Sequence, residues 1–296
     1  MIPSSPPKRI GPYRVLKVLG EGSLGQVYLA EQEEPVFRQV AVKVLKPGLD
    51  SEEVLTRFEA ERKAMALMSH SGIVRVLDAG TTERGLSYLV MEYVDGLPII
   101  EYCDTHKLSV NERLTLFCEI CRAVHHAHQR GIIHRDLKPS NILVTEEDGQ
   151  PLPKVIDFGI AKAIEQPLTD SAPMTIQGSF LGTPEYMSPE QAAGELDIDI
   201  TTDVYALGVT LYELLTGVLP FGLRLAGLEN LLRKLRIQEP PSLADRFDRQ
   251  GAAREEIATE RGTDTRSLRR RLKGELDWIV LKALRKERGH RYQSAS

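Results

Sequence analysis

Two short stretches of the chain combine side chains suited to the transfer of a phosphoryl group. Residues 134–141 read HRDLKPSN and residues 157–159 read DFG, and an apolar, strand-like run joins them. An aspartate can orient an attacking hydroxyl and take its proton, while an asparagine and a second aspartate can hold the Mg²⁺ ions that neutralise a triphosphate. The DFG triplet alone would carry no weight, but the two stretches together predict phosphoryl-transfer chemistry.

A glycine-rich stretch and a lysine could hold the phosphates. Residues 20–27 (GEGSLGQV) lie between two strand-like runs, and glycine lets backbone N–H groups approach phosphate oxygens. A strand rather than a helix follows, which excludes a dinucleotide fingerprint, and taken alone the glycines are explained equally well by a plain hairpin turn. Lys43 lies within an apolar strand, where a charge is costly unless it is paired. We interpret Lys43 as shared between Glu61 and the α- and β-phosphates; an ion pair that only orders the helix of Glu61 is the alternative.

The elements that must position these groups change in type along the chain. The first part is rich in β-branched and aromatic residues and predicts five strands, at 13–19, 26–30, 39–45, 73–78 and 86–93, with one helix at 51–68. After Gly96 the pattern becomes helical, with helices expected at 110–130, 189–193, 202–215, 228–235 and 275–284. The sequence predicts an α+β fold in which a sheet lobe and a helical lobe leave a cleft for a small ligand.

Composition excludes several classes of protein. The 296 residues are 42% hydrophobic and 27% charged with a net charge of −4, as in a soluble globular protein without a nucleic-acid footprint. Three cysteines and no signal peptide favour a reducing, intracellular setting. Residues 204–223 carry a single charge, Glu213, but Gly217 and Pro220 leave a helix too short to cross a bilayer, so we expect a buried helix. Cysteines and histidines between 118 and 128 share one helical stripe that cannot surround a zinc ion.

Together with residues 182–190 (GTPEYMSPE), these motifs resemble the eukaryotic-type protein kinases, most closely the bacterial serine/threonine kinases. The resemblance covers about residues 11–296. It implies a bilobal fold, with a tail at 1–10, a nucleotide-binding lobe at 11–94 and a catalytic and substrate-binding lobe at 95–296. Within the second lobe we expect an insertion of surface helices with mobile connections near 222–274. The sequence ends where the family's last helix should begin, so we expect either a fragment of a longer protein or a domain that ends early. Leu24, Ser188 and Tyr205 depart from common family residues without touching the chemistry.

The resemblance also implies a role for each catalytic position. Asp136 would accept the hydroxyl proton of the substrate, Asn141 and Asp157 would ligate Mg²⁺, and Lys138 would contact the γ-phosphate of ATP. A lysine at 138 is typical of serine/threonine kinases. Structural roles follow for other residues: His134, Phe158 and Met65 would form a hydrophobic column, Asp203 would hold the catalytic loop, and Glu190 would pair with Arg291.

The strand ending at residue 94 would be the hinge between the lobes. Backbone groups of Glu92 and Val94 would meet adenine, and Met91 would gate the pocket behind it. Apolar side chains would sandwich the ring, although the same residues could be ordinary core. The full set expected at the nucleotide is Leu19, Gly20, Glu21, Gly22, Ser23, Leu24, Gly25, Gln26, Val27, Ala41, Lys43, Met91, Glu92, Val94 and Leu143.

Regulation is expected in the segment between Asp157 and Glu190. In the family, the arginine at position 135 pairs with a phosphate on this segment. Thr175 and Ser179 are the expected phosphosites among several hydroxyls between 169 and 179. The implied partners are protein substrates with serine or threonine acceptors, with dimerisation for autophosphorylation left open. The implied location is the cytoplasm, and a longer parent chain could be tethered to the membrane.

Two other functions compete with an active protein kinase. A pseudokinase scaffold would share the fold, but such proteins usually lose one of the catalytic residues, and Lys43, Glu61, Asp136, Asn141 and Asp157 are all present. A small-molecule phosphotransferase would share the catalytic aspartate and asparagine. The segment at 182–190, which shapes the peptide-binding shelf of protein kinases, disfavours it.

Overall fold

The computed structural model describes residues 7–22, 25–46, 68–158, 184–222 and 227–296. These residues form two compact units: the first runs to Asp95 and includes Asp157 and Phe158, and the second takes the remainder from Gly96 onward. Several predicted features lie outside the described residues, namely the helix before residue 68 with Glu61 and Met65, Ser23 and Leu24, and the segment containing Thr175, Ser179 and Thr183.

The first unit is built on an antiparallel sheet of six strands. They are β1 Arg9–Ile10, β2 Tyr13–Glu21, β3 Gly25–Gln32, β4 Arg38–Leu45, β5 Val76–Thr81 and β6 Ser87–Glu92. Their order in the sheet is β1-β2-β3-β4-β6-β5. Five of them overlap the predicted strands, although β5 begins three residues later than the predicted 73–78. The sixth, β1, lies inside the stretch predicted as a tail, because Arg9 and Ile10 pair with Arg14 and Tyr13.

The two faces of this sheet differ in chemistry because successive side chains alternate between faces. One face packs into a hydrophobic core that includes Tyr28, Val42, Tyr88 and Val90. Lys43 lies next to Val42 along β4 and therefore points to the other face. The sheet thus uses one face for stability and presents the lysine on the opposite face.

The second unit combines a small sheet with nine described helices. The sheet contains β7 Leu97–Pro98, β8 Ile142–Glu147 and β9 Gln150–Val155. The helices are α1 Ile99–Thr105, α2 Val110–His128, α3 Pro189–Ala193, α4 Thr201–Thr216, α5 Gly227–Ile237, α6 Leu243–Asp248, α7 Ala253–Glu260, α8 Thr265–Arg271 and α9 Glu275–Ala283. The five helices predicted in this region are α2, α3, α4, α5 and α9, with ends shifted by a few residues at most.

Helix α4 is the buried centre of the second unit. All of its residues are buried except Glu213, as expected from its apolar sequence, and it ends at Gly217, which adopts a left-handed conformation with φ 72°. Among the residues that the structure describes, no helix has the length and apolarity required to span a membrane.

Many described residues of the segment predicted as a surface insertion, 222–274, are exposed, but others are buried within the second unit. Phe247, Arg261 and Leu268 are fully buried. The Arg261 Nε donates to the carbonyl of Leu215 at 2.9 Å, so the guanidinium satisfies a carbonyl at the C-terminal end of α4. Burial and the neighbouring charge of Arg113 lower the pKa of Arg261 to about 10. The charged sequence misled the prediction because a guanidinium can be buried where several carbonyls surround it.

Candidate active site

The second unit brings together three of the predicted catalytic residues on the loop that follows α2. Lys138 Nζ lies 2.9 Å from Asp136 Oδ2. Asn141 Nδ2 donates to the backbone carbonyl of Asp136 at 2.8 Å and approaches its Oδ2 at 3.4 Å. The Asp136 side chain remains 39% exposed. A fixed, partly exposed carboxylate beside an ammonium group can accept a proton from an incoming hydroxyl.

Asp203, at the start of α4, holds this loop as predicted. Its carboxylate accepts hydrogen bonds from the backbone N–H groups of His134 and Arg135, both at 2.8 Å. The aspartate is completely buried. Burial alone would raise the pKa of Asp203, but the hydrogen bond from His128 and the nearby His134 lower it, so the carboxylate stays ionised. The loop is therefore anchored to the most buried helix of the unit.

His128 is a contributor to this anchor that the sequence analysis did not identify. Its Nε2 lies 2.8 Å from Asp203 Oδ2, and its side chain is 3% exposed. The sequence pattern placed His128 only on a helical stripe shared with cysteines and another histidine of α2. The only available signal was helical spacing, which does not reveal a partner 75 positions further along the chain.

The first unit brings together Lys43 of β4 and Asp157 of the DFG triplet. Lys43 Nζ lies 2.9 Å from Asp157 Oδ2, and the lysine side chain is only 10% exposed. Asp157 has a φ of 60°, a left-handed conformation that aspartate and asparagine tolerate better than most residues. The predicted pairing of Lys43 with Glu61 lies outside the described residues and stays a prediction.

The register of the sheet places further predicted nucleotide contacts on the face of Lys43. Residues directly opposite in antiparallel strands share a face. Val27 of β3 lies opposite Lys43, and Ala41, on the same face as Lys43, lies opposite Met91 of β6. Gly20 lies opposite Val27, and Leu19 beside it is 39% exposed.

Other predicted contacts lie in the glycine-rich turn, at the end of β6 and in the second unit. Gly22 N–H donates to the Gly25 carbonyl at 2.8 Å, which closes the turn. A Cβ on Gly25 would overlap the Val44 carbonyl, so the strand pairing here requires glycine. Glu21 pairs with Lys46 at 3.2 Å, and Gln26 accepts a hydrogen bond from Tyr28. The remaining three contacts are Glu92, whose N–H donates to the Arg75 carbonyl, Val94, which is buried, and Leu143, which lies in β8.

The side-chain oxygens of Asn141 and Asp157 are suitable ligands for Mg²⁺. Mg²⁺ prefers oxygen ligands, and both side chains offer one. Because Asn141 Nδ2 donates to the Asp136 carbonyl, the amide orientation leaves Asn141 Oδ1 as the available acceptor. Among the residues that the structure describes, no group of three or more histidine, cysteine or acidic side chains could hold a metal ion, and the cysteines of α2 are free thiols.

The predicted structural pair of Glu190 and Arg291 is present. Arg291 Nη1 and Nη2 donate to Glu190 Oε1 and Oε2, each at 2.7 Å, and both side chains are almost fully buried. Burial opposes the charge of Glu190, but the hydrogen bonds from Arg291 and Thr202 prevail and lower its pKa to about 2. This bidentate pair fixes the start of α3 to the C-terminal part of the chain.

Comparison with known families and proteins gives consistent matches. A model of the protein kinase domain matches residues 13–257. Serine/threonine-protein kinase Pkn1 of Myxococcus xanthus is 41% identical over 236 residues, which cover 79% of this chain and 33% of Pkn1. PrkC of Bacillus subtilis, also a serine/threonine-protein kinase, is 42% identical over 217 residues, covering 72% of this chain and 32% of PrkC. This chain thus spans about a third of the length of these relatives.

Solved structures match nearly the whole chain. The crystal structure of the Mycobacterium tuberculosis PknI kinase domain superposes with a TM-score of 0.65 at 27% identity, covering 97% of this chain and 93% of that one. The α+β architecture expected from the sequence is confirmed by this match.

Proposed function

The chain belongs to the protein kinase family, and we propose that it transfers the γ-phosphate of ATP to serine or threonine hydroxyls of proteins. The observation that carries the proposal is the cluster of Asp136, Lys138 and Asn141, held by two backbone hydrogen bonds to Asp203. A proton acceptor, a cation and an amide oxygen fixed on one loop are the groups that phosphoryl transfer to a hydroxyl requires.

In the proposed reaction, each residue positions a group or moves a proton. Asp136 orients the acceptor hydroxyl and takes its proton, while Lys138 neutralises charge on the transferred phosphoryl group. Lys43 holds the α- and β-phosphates. Asn141 and Asp157 would hold Mg²⁺, which supplies positive charge at the phosphate oxygens.

Protein substrates are favoured over small molecules by the segment at 184–190. Pro184–Tyr186 forms a short 3₁₀-helix, and Tyr186 donates a hydrogen bond to Glu213 Oε2 at 2.5 Å. An ordered surface here supports the resemblance to the peptide-binding shelf of protein kinases. Serine and threonine are supported as acceptors by Lys138 and by the similarity to Pkn1 and PrkC, which are serine/threonine-protein kinases.

A label-transfer assay tests this proposal. Purified protein is incubated with γ-³²P-labelled ATP, Mg²⁺ and a generic basic protein, and the labelled amino acids are identified after acid hydrolysis. We expect label on serine or threonine. Exchanging Lys43 for methionine removes the charge that pairs with Asp157 and should lower the rate about 10²- to 10³-fold, as expected for the loss of one stabilising cation. Nucleotide binding without any transfer by the unmodified protein would instead identify a scaffold.

Phosphorylation of the segment between Asp157 and Glu190 is proposed as the activating step. A phosphate adds about two negative charges, which Arg135 could bind by charge-assisted hydrogen bonds. We expect phosphate between residues 169 and 179, at Thr175 or Ser179, when active enzyme is mapped by mass spectrometry. Fully active protein without phosphate in this interval would contradict the proposal.

We also propose that two copies meet for this autophosphorylation and that a longer parent chain tethers the catalytic part to a membrane from the cytoplasmic side. The chain spans about a third of the length of Pkn1 and PrkC. A rate of autophosphorylation per molecule that does not rise with protein concentration would contradict the first idea. Recovery of the parent protein only in the soluble fraction of cells would contradict the second.

A further inference from the structure

Gln191 in α3 makes hydrogen bonds in two directions. Its Oε1 accepts from the backbone N–H of Ser188 at 3.1 Å, and its own backbone N–H donates to Ser188 Oγ at 3.3 Å, which together form a capping box. Its Nε2 donates to the backbone carbonyl of Arg135 at 2.7 Å. Only one orientation of the amide satisfies both partners, since Ser188 N–H needs an acceptor and the Arg135 carbonyl needs a donor.

The carbonyl that Gln191 binds belongs to a residue of the catalytic loop with an unusual backbone conformation. Arg135 has a φ of 66°, a left-handed conformation that an arginine adopts only when its surroundings hold it there. Its N–H is bound by Asp203 at 2.8 Å, and its carbonyl is bound by Gln191. Both polar backbone groups of Arg135 are therefore fixed by side chains from helices α3 and α4.

The Arg135 carbonyl is part of the peptide group that leads into Asp136. The N–H of this same peptide group donates to His134 Nδ1 at 3.3 Å, a longer contact than the 2.7 Å bond from Gln191. A change in the ψ angle of Arg135 would turn this peptide group and displace the Cα of Asp136, and with it the carboxylate. A hydrogen bond that prevents the rotation thereby sets where the proton acceptor lies.

We propose that Gln191 is a positioning residue for phosphoryl transfer, acting on Asp136 through the Arg135 carbonyl. This inference rests on the proposed kinase function. Gln191 need not touch the substrate for this role, because a displacement of a catalytic group by about 1 Å can cost about 10²-fold in rate.

Exchanging Gln191 for glutamate separates the two roles of this side chain. Glutamate retains an oxygen for Ser188 N–H and is itself favoured at this position of a capping box. It offers no N–H to the Arg135 carbonyl, so two acceptor oxygens would face each other. We expect kcat to fall about 10- to 100-fold, with KM for ATP and the melting temperature close to those of the unmodified protein.

The capping box of α2 provides a matched control. Glu112 occupies the same position relative to Ser109 as Gln191 does to Ser188, and Glu112 contacts Ser109 at 2.8 Å. Exchanging Glu112 for glutamine makes the reverse acid–amide change far from the catalytic loop in the sequence. We expect kcat to remain unchanged in this variant.

The outcomes distinguish the inference from the proposed function. If the unmodified enzyme is active and the Gln191→Glu variant has the same kcat, the positioning role is overturned. If the unmodified enzyme transfers no phosphate, the kinase function itself is overturned. Should Gln191→Glu fold poorly, Gln191→Met, which keeps the length but has no donor, is measured with kcat normalised to the folded fraction from circular dichroism. A normalised kcat equal to that of the unmodified protein would also overturn the inference, and a tenfold loss would support it.

Discussion

Exchanging Asp136 for asparagine is expected to lower kcat about 10²- to 10⁴-fold, the range typical for loss of a general base. Asparagine has nearly the same shape and retains one side-chain oxygen near Lys138 Nζ, which lies 2.9 Å from Asp136 Oδ2. The amide cannot accept the hydroxyl proton, so the proposed reaction loses its proton acceptor while the loop keeps its anchor on Asp203. Steady-state rates of label transfer measure the effect.

The hairpin turn between β8 and β9 supplies the control for this experiment. Asp148 there is exposed and, like Asp157, has a positive φ, 51°, so asparagine fits the same backbone conformation. We expect Asp148→Asn to transfer label at the unmodified rate. Equal rates in the Asp136→Asn and Asp148→Asn variants would show that Asp136 is not the proton acceptor.

A second large effect is expected in stability rather than in rate. Exchanging Glu190 for glutamine leaves the guanidinium of Arg291 buried without its carboxylate, and removing one partner of a buried pair typically costs about 3–5 kcal/mol in the free energy of unfolding. Urea denaturation measures this value. The control is the Glu195→Gln variant. The Glu195 side chain is 54% exposed and pairs with Arg288, and exposed pairs contribute about 1 kcal/mol or less to the free energy of unfolding.

The same pair predicts how stability depends on pH. The folded-state pKa of Glu190, about 2, lies below its ordinary value of 4.5. Glu190 therefore binds a proton more readily in the unfolded chain than in the folded protein. Its contribution to the free energy of unfolding is complete above pH 4.5 and is lost as the pH falls towards 2. The Glu190→Gln variant should lose less stability than the unmodified protein over this interval. An equal loss in the free energy of unfolding of both proteins between pH 4.5 and 2 would contradict the assigned role of the Glu190–Arg291 pair.

The residues that could be predicted from the sequence are those that lie in short motifs of neighbouring positions. Lys43, Asp136, Asn141 and Asp157 lie in short motifs, and the structure places each on the expected strand or loop. The roles of Asp203 and of the Glu190–Arg291 pair came from the family resemblance. Their contacts in the structure agree with those roles.

Contacts made only by tertiary packing could not be predicted. The hydrogen bond between Gln191 and Arg135 joins residues 56 positions apart, and no local pattern points from one to the other. Burial of Arg261, within the segment expected at the surface, could not be predicted, because it depends on carbonyls of α4 that only the assembled fold brings near it. Side-chain chemistry identified the groups that could react, whereas the contacts of His128, Gln191 and Arg261 were revealed only by the assembled fold.

The guanidinium of Arg261 at the end of α4 has a practical consequence for anyone shortening this protein. The kinase-domain match stops at residue 257, yet Arg261, Leu268 and Arg291, all beyond that residue, are buried. A chain ending at residue 257 would lack the Arg261 guanidinium that binds the Leu215 carbonyl at the end of α4. It would also lack Arg291, the cation that pairs with Glu190. Minimal versions for crystallisation or inhibitor screening should therefore retain the sequence at least through Tyr292.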